Sequence, residues 1–160
     1  MIYETPTHYF VCAGDAEGYS PLNAFDQALI DAGVGDVNLV RLSSILPAGC
    51  RRVDPFGFPG GALVPVAYSR MVSSTPGETI SAAVAIAVPE DTSEPGLIME
   101  HHAAAPLGEV VEQVRRMAQE GMRYRERAVG EIITAGEEHV VEQHGAAFAG
   151  VVMWDRDGHG

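Results

Sequence analysis

Three places in the 160-residue chain carry side chains that could do chemistry: the paired serines Ser43 and Ser44 in "VNLVRLSSILP", Glu100 at the end of "GLIME", and Asp26 in "NAFDQALI". A serine hydroxyl is a potential nucleophile. No GxSxG elbow, oxyanion motif or neighbouring histidine accompanies either serine, which argues against a Ser-His-Asp triad. The plain alternative is two hydroxyls bonded to backbone where a strand ends. Glu100 follows Leu97, Ile98 and Met99. Desolvation in such a strand disfavours the charged carboxylate and makes it a candidate proton donor, whereas an edge position facing water would make it an ordinary surface acid. Asp26 falls inside the arc of Leu22, Phe25, Leu29 and Ile30 on a helical projection. It is therefore expected to face the core side of its helix and to need a cation there, either an internal Arg or a cationic ligand.

Other groupings are weaker. In a strand, His101 and His102 of "MEHH" point to opposite faces, so only Glu100 and His102 could share a ligand set. His139 and His144 are not at helical spacing, and the expectation is no metal. The glycine-dense "FGFPGG" lacks GxGxxG spacing, a lysine and a following helix, so it is not read as a phosphate loop.

These residues must be positioned by a few elements. "HYFVCAG" (8–14) reads as a first strand. "SPLNAFDQALIDAGVG" reads as a helix with Ser20 as N-cap, Pro21 in its first position and Gly33 as its stop. A single strand is expected over 37–46, then a Pro/Gly-dense loop over 47–61 that is too irregular to be an element. Strands come next at 62–72 and 79–89, joined through a Pro76-Gly77 turn, and at 96–102. Pro106 opens a second helix whose Leu107, Val110, Val111, Val114 and Met117 repeat at helical spacing until Gly121 ends it. "EIITAGEEHVV" and "GAAFAGVVMW" are the last two strands, and "DRDGHG" is a loose tail. Runs this apolar are covered on both faces, so a layered sandwich with helices outside is the economical arrangement.

Composition narrows the function. The length is that of one globular domain. A formal net charge of -12 argues against nucleic acid or an anionic membrane as partner. All ten basic residues are Arg, and the absence of Lys excludes pyridoxal phosphate enzymes, Walker-type nucleotide binding and lysine-based aldolases. Cys12 and Cys50 make no disulfide framework and are read as reduced thiols of a cytoplasmic protein. "MIYETPTHYF" does not read as a signal peptide, and no apolar run approaches the roughly 20 residues that span a bilayer.

One chemistry uses a serine at a strained strand end without an external base. The hydroxyl attacks the preceding carbonyl to give an ester, elimination cleaves the chain, and the resulting dehydroalanine hydrolyses to an N-terminal pyruvoyl group. That ketone is an electron sink that needs no Lys. In this light, the blocks "NAFDQALIDAGVGDVNLVRLSSILP", "GALVPVAYS", "PGETISAAVAIAVP", "GLIME" and "EEHVVEQHGAAFAGVVMW", in this order, closely resemble the pyruvoyl-dependent arginine decarboxylases.

The resemblance implies an α+β fold, the αββα four-layer sandwich of the pyruvoyl-dependent histidine/arginine decarboxylase type. It further implies cleavage between Ser43 and Ser44, giving a β chain 1–43 and an α chain 44–160 headed by a pyruvoyl group made from Ser44. Arginine would become agmatine through a Schiff base on that group, with neither pyridoxal phosphate nor metal. Glu100 matches the family's proton-donating acid, Asn38 an active-site asparagine and Asp26 the acid that meets the substrate guanidinium, with Ser43 beside the substrate. The expected assembly is a homotrimer with sites between protomers. Two alternatives stay open: a pyruvoyl decarboxylase of another amino acid, and an unprocessed, non-catalytic binding protein of the same fold. Asn38 shares a strand face with Ser44, but six extended residues span about 20 Å, so it serves the same site only if the chain bends back.

Overall fold

The computed structural model describes residues 4–155; the end of the predicted tail and the first three residues lie outside this range. The elements are β1 (His8–Glu17), α1 (Pro21–Asp31), β2 (Asn38–Arg41), β3 (Ile45–Leu46), β4 (Arg51–Arg52), β5 (Leu63–Ser73), β6 (Thr79–Pro89), β7 (Gly96–Ala103), α2 (Leu107–Tyr124), β8 (Val129–Val140) and β9 (Gly145–Trp154). This is an α+β chain of two helices and two sheets. The first sheet has the order β2-β5-β9-β1-β4 and the second β3-β7-β6-β8.

Period-two alternation sorts the strand side chains between separate cores. On β9, Ala149, Val151 and Met153 meet Val84, Ile86 and Ile98 of the second sheet. Its alternate residues Ala146, Phe148 and Val152 face α1 with Ala24 and Ala28. On β6, Val84 and Ile86 point to the first sheet, while the smaller Ala83, Ala85 and Ala87 meet Val110, Val114, Ala118 and Met122 of α2. Each large apolar side chain so buried contributes about 1.5–3 kcal/mol.

Helix α1 begins as expected: the Ser20 hydroxyl accepts from Asn23 N at 3.2 Å and Pro21 occupies the first turn. Gly33, at φ +83°, takes the left-handed conformation that ends it. The helix lies close on β1 because Gly14 has no side chain. A Cβ there would sit 2.3 Å from the Ala28 carbonyl oxygen.

Four expectations need correction. The predicted strand 37–46 is two strands in different sheets, since β2 pairs with β5 and β3 with β7. The loop 47–61 contains β4, which pairs in parallel with β1, and its Phe56 and Phe58 pack against Phe10. Helix α2 runs past Gly121 to Tyr124. Gly121 is a contact point rather than a stop: a Cβ on it would lie 2.1 Å from Leu97 Cδ2. Finally, the buried face of α1 is Ala24 and Ala28, while Leu22 and Ile30 are 72% and 53% exposed. Asp26, between them in the i, i+4, i+8 row, is exposed and does not face the core.

Among the described residues no helix is long and apolar enough to cross a membrane. Cys12 and Cys50 are both free thiols, and burial pushes them up to about 12 and about 11.

Candidate active site

The break between β2 and β3 places Ser43 and Ser44 where the chain leaves the edge of one sheet for the edge of the other. Strand β2 is one of the two outer strands of the first sheet and β3 one of the two of the second. Residues 42–44 make the crossing, with a bend at Ser44. Ser43 is exposed and Ser44 half-buried. The two sides are held independently. Leu42 N donates to the Val66 carbonyl at 3.0 Å, and the Ser44 carbonyl accepts from Ile98 N at 2.6 Å.

That last bond sets the register with Glu100. Ile98 and Glu100 are two residues apart on β7, so their side chains share a face, about 7 Å apart along the strand. Ile98 packs between the sheets, and Glu100 is aimed the same way. Its Oε1 meets Arg41 Nη2 at 2.5 Å, an ion pair that reaches from β2 in one sheet to β7 in the other. Its Oε2 is buried and has no hydrogen-bond partner among the described residues. The pair is partly open to solvent, with side chains 53% and 34% exposed, so its contribution to stability is at most about 1 kcal/mol.

Arg41 is itself fixed from its own sheet. Nη2 donates to the Tyr68 carbonyl at 3.0 Å, and the guanidinium stacks 4.6 Å over the Tyr68 ring. Sequence reasoning did not single out Arg41, although one signal was available: a lone charged residue within an apolar run, three positions before Ser44. Beyond it opens a cleft of about 440 Å³ lined by Arg41, Arg70, Met71, Val72 and His102. The walls are cationic on one side, and Arg70 is held over the Phe25 ring at 4.7 Å. Burial, then the charge of His102, holds His101 below the ordinary histidine range. Ser69, buried on β5, ties the sheets together by donating to the His101 carbonyl at 2.9 Å.

The structure therefore brings Ser43, Ser44 and Glu100 to one crossing point. It does not bring Asn38 there: Asn38 begins β2, at the end away from Ser44, and its side chain donates to the Gly61 carbonyl at 3.0 Å. Asp26 lies on the exposed face of α1. Among the described residues no three His, Cys, Asp or Glu side chains converge as a metal ion would require.

The bend fits a pyruvoyl group on structural grounds. A half-buried serine sits at a crossing with both flanks anchored, and the strand that anchors it carries an acid with an unpartnered buried oxygen two residues further on.

Comparison with known proteins is consistent with this geometry. A family model described as pyruvoyl-dependent arginine decarboxylase matches residues 8–157. A protein of that name from Methanocaldococcus jannaschii is 45% identical over 152 residues, covering 95% of this chain and 92% of the relative. The Methanococcus maripaludis protein of the same name is 40% identical, with 95% and 93% covered. The Pyrococcus furiosus one is 42% identical over 157 residues, with 96% and 99% covered. A match over nearly the whole length, at this identity, makes the chain a member of the pyruvoyl-dependent arginine decarboxylase family.

Proposed function

We propose that the protein is a self-processing decarboxylase that converts L-arginine to agmatine and carbon dioxide. The observation that carries this reading is that the Ser44 carbonyl is pinned to Ile98 N, two residues before Glu100 on β7, and that Glu100 Oε2 is buried and unpartnered among the described residues. Ser44 supplies the attacking oxygen for cleavage of the Ser43–Ser44 bond, dividing the chain into 1–43 and 44–160. Both new ends stay in place, one held through β2 and β5, the other through β3 and β7. The pyruvoyl group supplies an electron sink for the carbon–carbon bond cleavage.

The chain's own residues do the rest. Glu100 delivers a proton to the α-carbon from its buried oxygen. The cleft beyond Arg41 has Arg70 in its wall, and that guanidinium offers positive charge to an amino-acid carboxylate. Asp26 offers a carboxylate to the guanidinium at the other end of the substrate, and Ser43 lines the path between them. Because Asp26 stands exposed between the exposed apolar side chains Leu22 and Ile30, it serves a site completed by a neighbouring protomer, as in a homotrimer. Asn38, at the far end of β2, fits a role in the same shared site. Among the described residues the four core clusters, one under each helix and two between the sheets, support the finer assignment of the fold as an αββα four-layer sandwich.

The test is mass spectrometry of the purified protein, then assay with arginine. Two chains in place of one of 17.0 kDa, and carbon dioxide release that needs no added pyridoxal phosphate and survives chelators, are expected. Borohydride with arginine present should abolish the activity. An intact chain that releases no carbon dioxide would overturn the reading.

A further inference from the structure

We infer that Arg41 is a positioning residue of the decarboxylation, one that confines the transferable proton of Glu100 to a single oxygen. The inference rests on the decarboxylase reading above. A guanidinium carries only donors and keeps its charge throughout the working range. The Glu100 oxygen that meets it, Oε1, must therefore accept and cannot direct a proton toward it. The second oxygen, Oε2, is buried and receives no donor, so a proton on this carboxyl resides there. Without Arg41 the two oxygens would be alike, and the carboxyl could turn about its last torsion and offer its proton in either direction.

The surroundings of Arg41 suit a fixed post rather than a loose surface cation. Its guanidinium is gripped by the Tyr68 carbonyl and ring, both on β5, the strand beside β2. It reaches from the last residue of β2, just before the crossing at 42–44, to β7, the strand that β3 joins just after the crossing, so the ion pair and the crossing link the same two sheets. Because the pair is half open to water, the fold does not depend on it. What the pair supplies is direction.

In the step itself, the Oε2–H bond breaks with its electron pair left on the carboxylate. The new C–H bond forms with the pair freed at the α-carbon by loss of carbon dioxide. Arg41 then faces a full anion, and the carboxyl recovers a proton from solvent before the next cycle. If the proton is delivered instead to the carbon of the chain terminus, hydrolysis by one water releases an aldehyde. The substrate nitrogen stays on the protein, and the α chain then begins with alanine.

That misdirected event gives a readout separate from turnover. The experiment compares wild type with Arg41→Met and Arg41→Lys, each scored for chain cleavage, melting temperature, arginine kinetics and free N-terminal alanine after incubation with arginine. Both variants should be cleaved and should melt close to wild type. Arg41→Met should lose at least about tenfold in kcat with KM changed by less than about threefold, and should accumulate more alanine-headed α chain and aldehyde per turnover. Arg41→Lys, which returns a point charge without the planar fork, should lie between the two. The inference is overturned if Arg41→Met matches wild type in kcat and in alanine per turnover. It is also overturned if Arg41→Met remains uncleaved, which would place Arg41 in processing. Failure of the underlying reading is distinct, because then wild type itself releases no carbon dioxide from arginine.

Discussion

The carbonyl of Ser44 accepts a 2.6 Å hydrogen bond from the amide of Ile98, and this bond joins the crossing segment to β7 two residues before Glu100. It fixes where a chain end made at Ser44 would lie. On the proposed function it also separates the two jobs of the site, with cleavage assigned to the backbone around 42–44 and decarboxylation to the side chains of β2 and β7. Variants at the two kinds of position should fail in different ways.

Ser44→Ala removes the attacking oxygen and the atoms of the ketone. The expected result is one uncleaved chain of 17.0 kDa with no carbon dioxide release and a melting temperature near that of wild type, because Ser44 is only half-buried and its carbonyl bond survives. Gel electrophoresis and mass spectrometry read it directly. Two chains in this variant would exclude Ser44 as the nucleophile.

Asp26→Asn keeps the shape and removes the charge-assisted pair with a guanidinium. Since Asp26 is exposed, stability should stay within about 0.5 kcal/mol of wild type, and cleavage should be unchanged. The specificity constant for arginine should fall at least about tenfold, roughly 1.4 kcal/mol. Unchanged arginine kinetics would remove Asp26 from the site.

How much of this was visible in the sequence depends on the range over which each residue's environment is set. Ser20, Pro21 and Gly33 define α1 through contacts within a few residues, and they were legible. The family was legible too, because the blocks around the serine pair and Glu100 resemble it. The break in 37–46 was not legible: Leu42 and Ile45 continue the apolar pattern, and only pairing with β5 on one side and β7 on the other divides it. Gly121 looked like a helix stop because its reason, contact with Leu97, lies in another element. The helical projection of α1 weighted large apolar residues, whereas the close approach at Gly14 favours the small Ala24 and Ala28 and turns Asp26 outward. Arg41 stayed hidden because its partner is 59 residues away in the other sheet.

Gly14→Ala tests that close approach. The added methyl would meet the backbone of α1, with Ala28 O at 2.3 Å and Ala32 N at 2.6 Å, so the helix as a whole has to move. A cost of about 1–3 kcal/mol is expected, at about 2–4 °C in melting temperature per kcal/mol. Arginine kinetics should worsen as α1 carries Asp26 outward, with cleavage at Ser44 retained. A variant as stable as wild type would mean that α1 slides without penalty.

The last prediction concerns the far edge of the second sheet, where His139 of β8 lies between two carboxylates of β1. Nδ1 faces Asp15 Oδ2 at 2.8 Å and Nε2 faces Glu17 Oε2 at 2.5 Å, so the imidazolium clamps one sheet to the other. Burial alone would lower the histidine, but its hydrogen bonds and charges with Glu17 and Asp15 outweigh it and raise the group above its ordinary 6.5. For Glu17, burial acts upward. Donation from Gln143 N and from His139 outweighs it and holds the carboxyl below its ordinary 4.5. Asp31 of α1 and Glu137 of β8 add negative charge nearby, and burial together with the charges of Asp15 and Asp31 raises Glu137. A raised histidine contributes its stability fully below 6.5 and loses it as pH rises through the folded value, while the depressed Glu17 contributes above 4.5 and loses its part as pH falls. The clamp is therefore strongest between those two limits and fades on the alkaline side. His139→Gln should melt lower than wild type near pH 6, and the gap should close as pH is raised toward about 9. Repulsion within this acidic chain also grows with pH, but it is common to both proteins and cancels in the difference. Parallel melting curves for the two proteins across that range would show that His139 carries no charge-dependent link between the sheets.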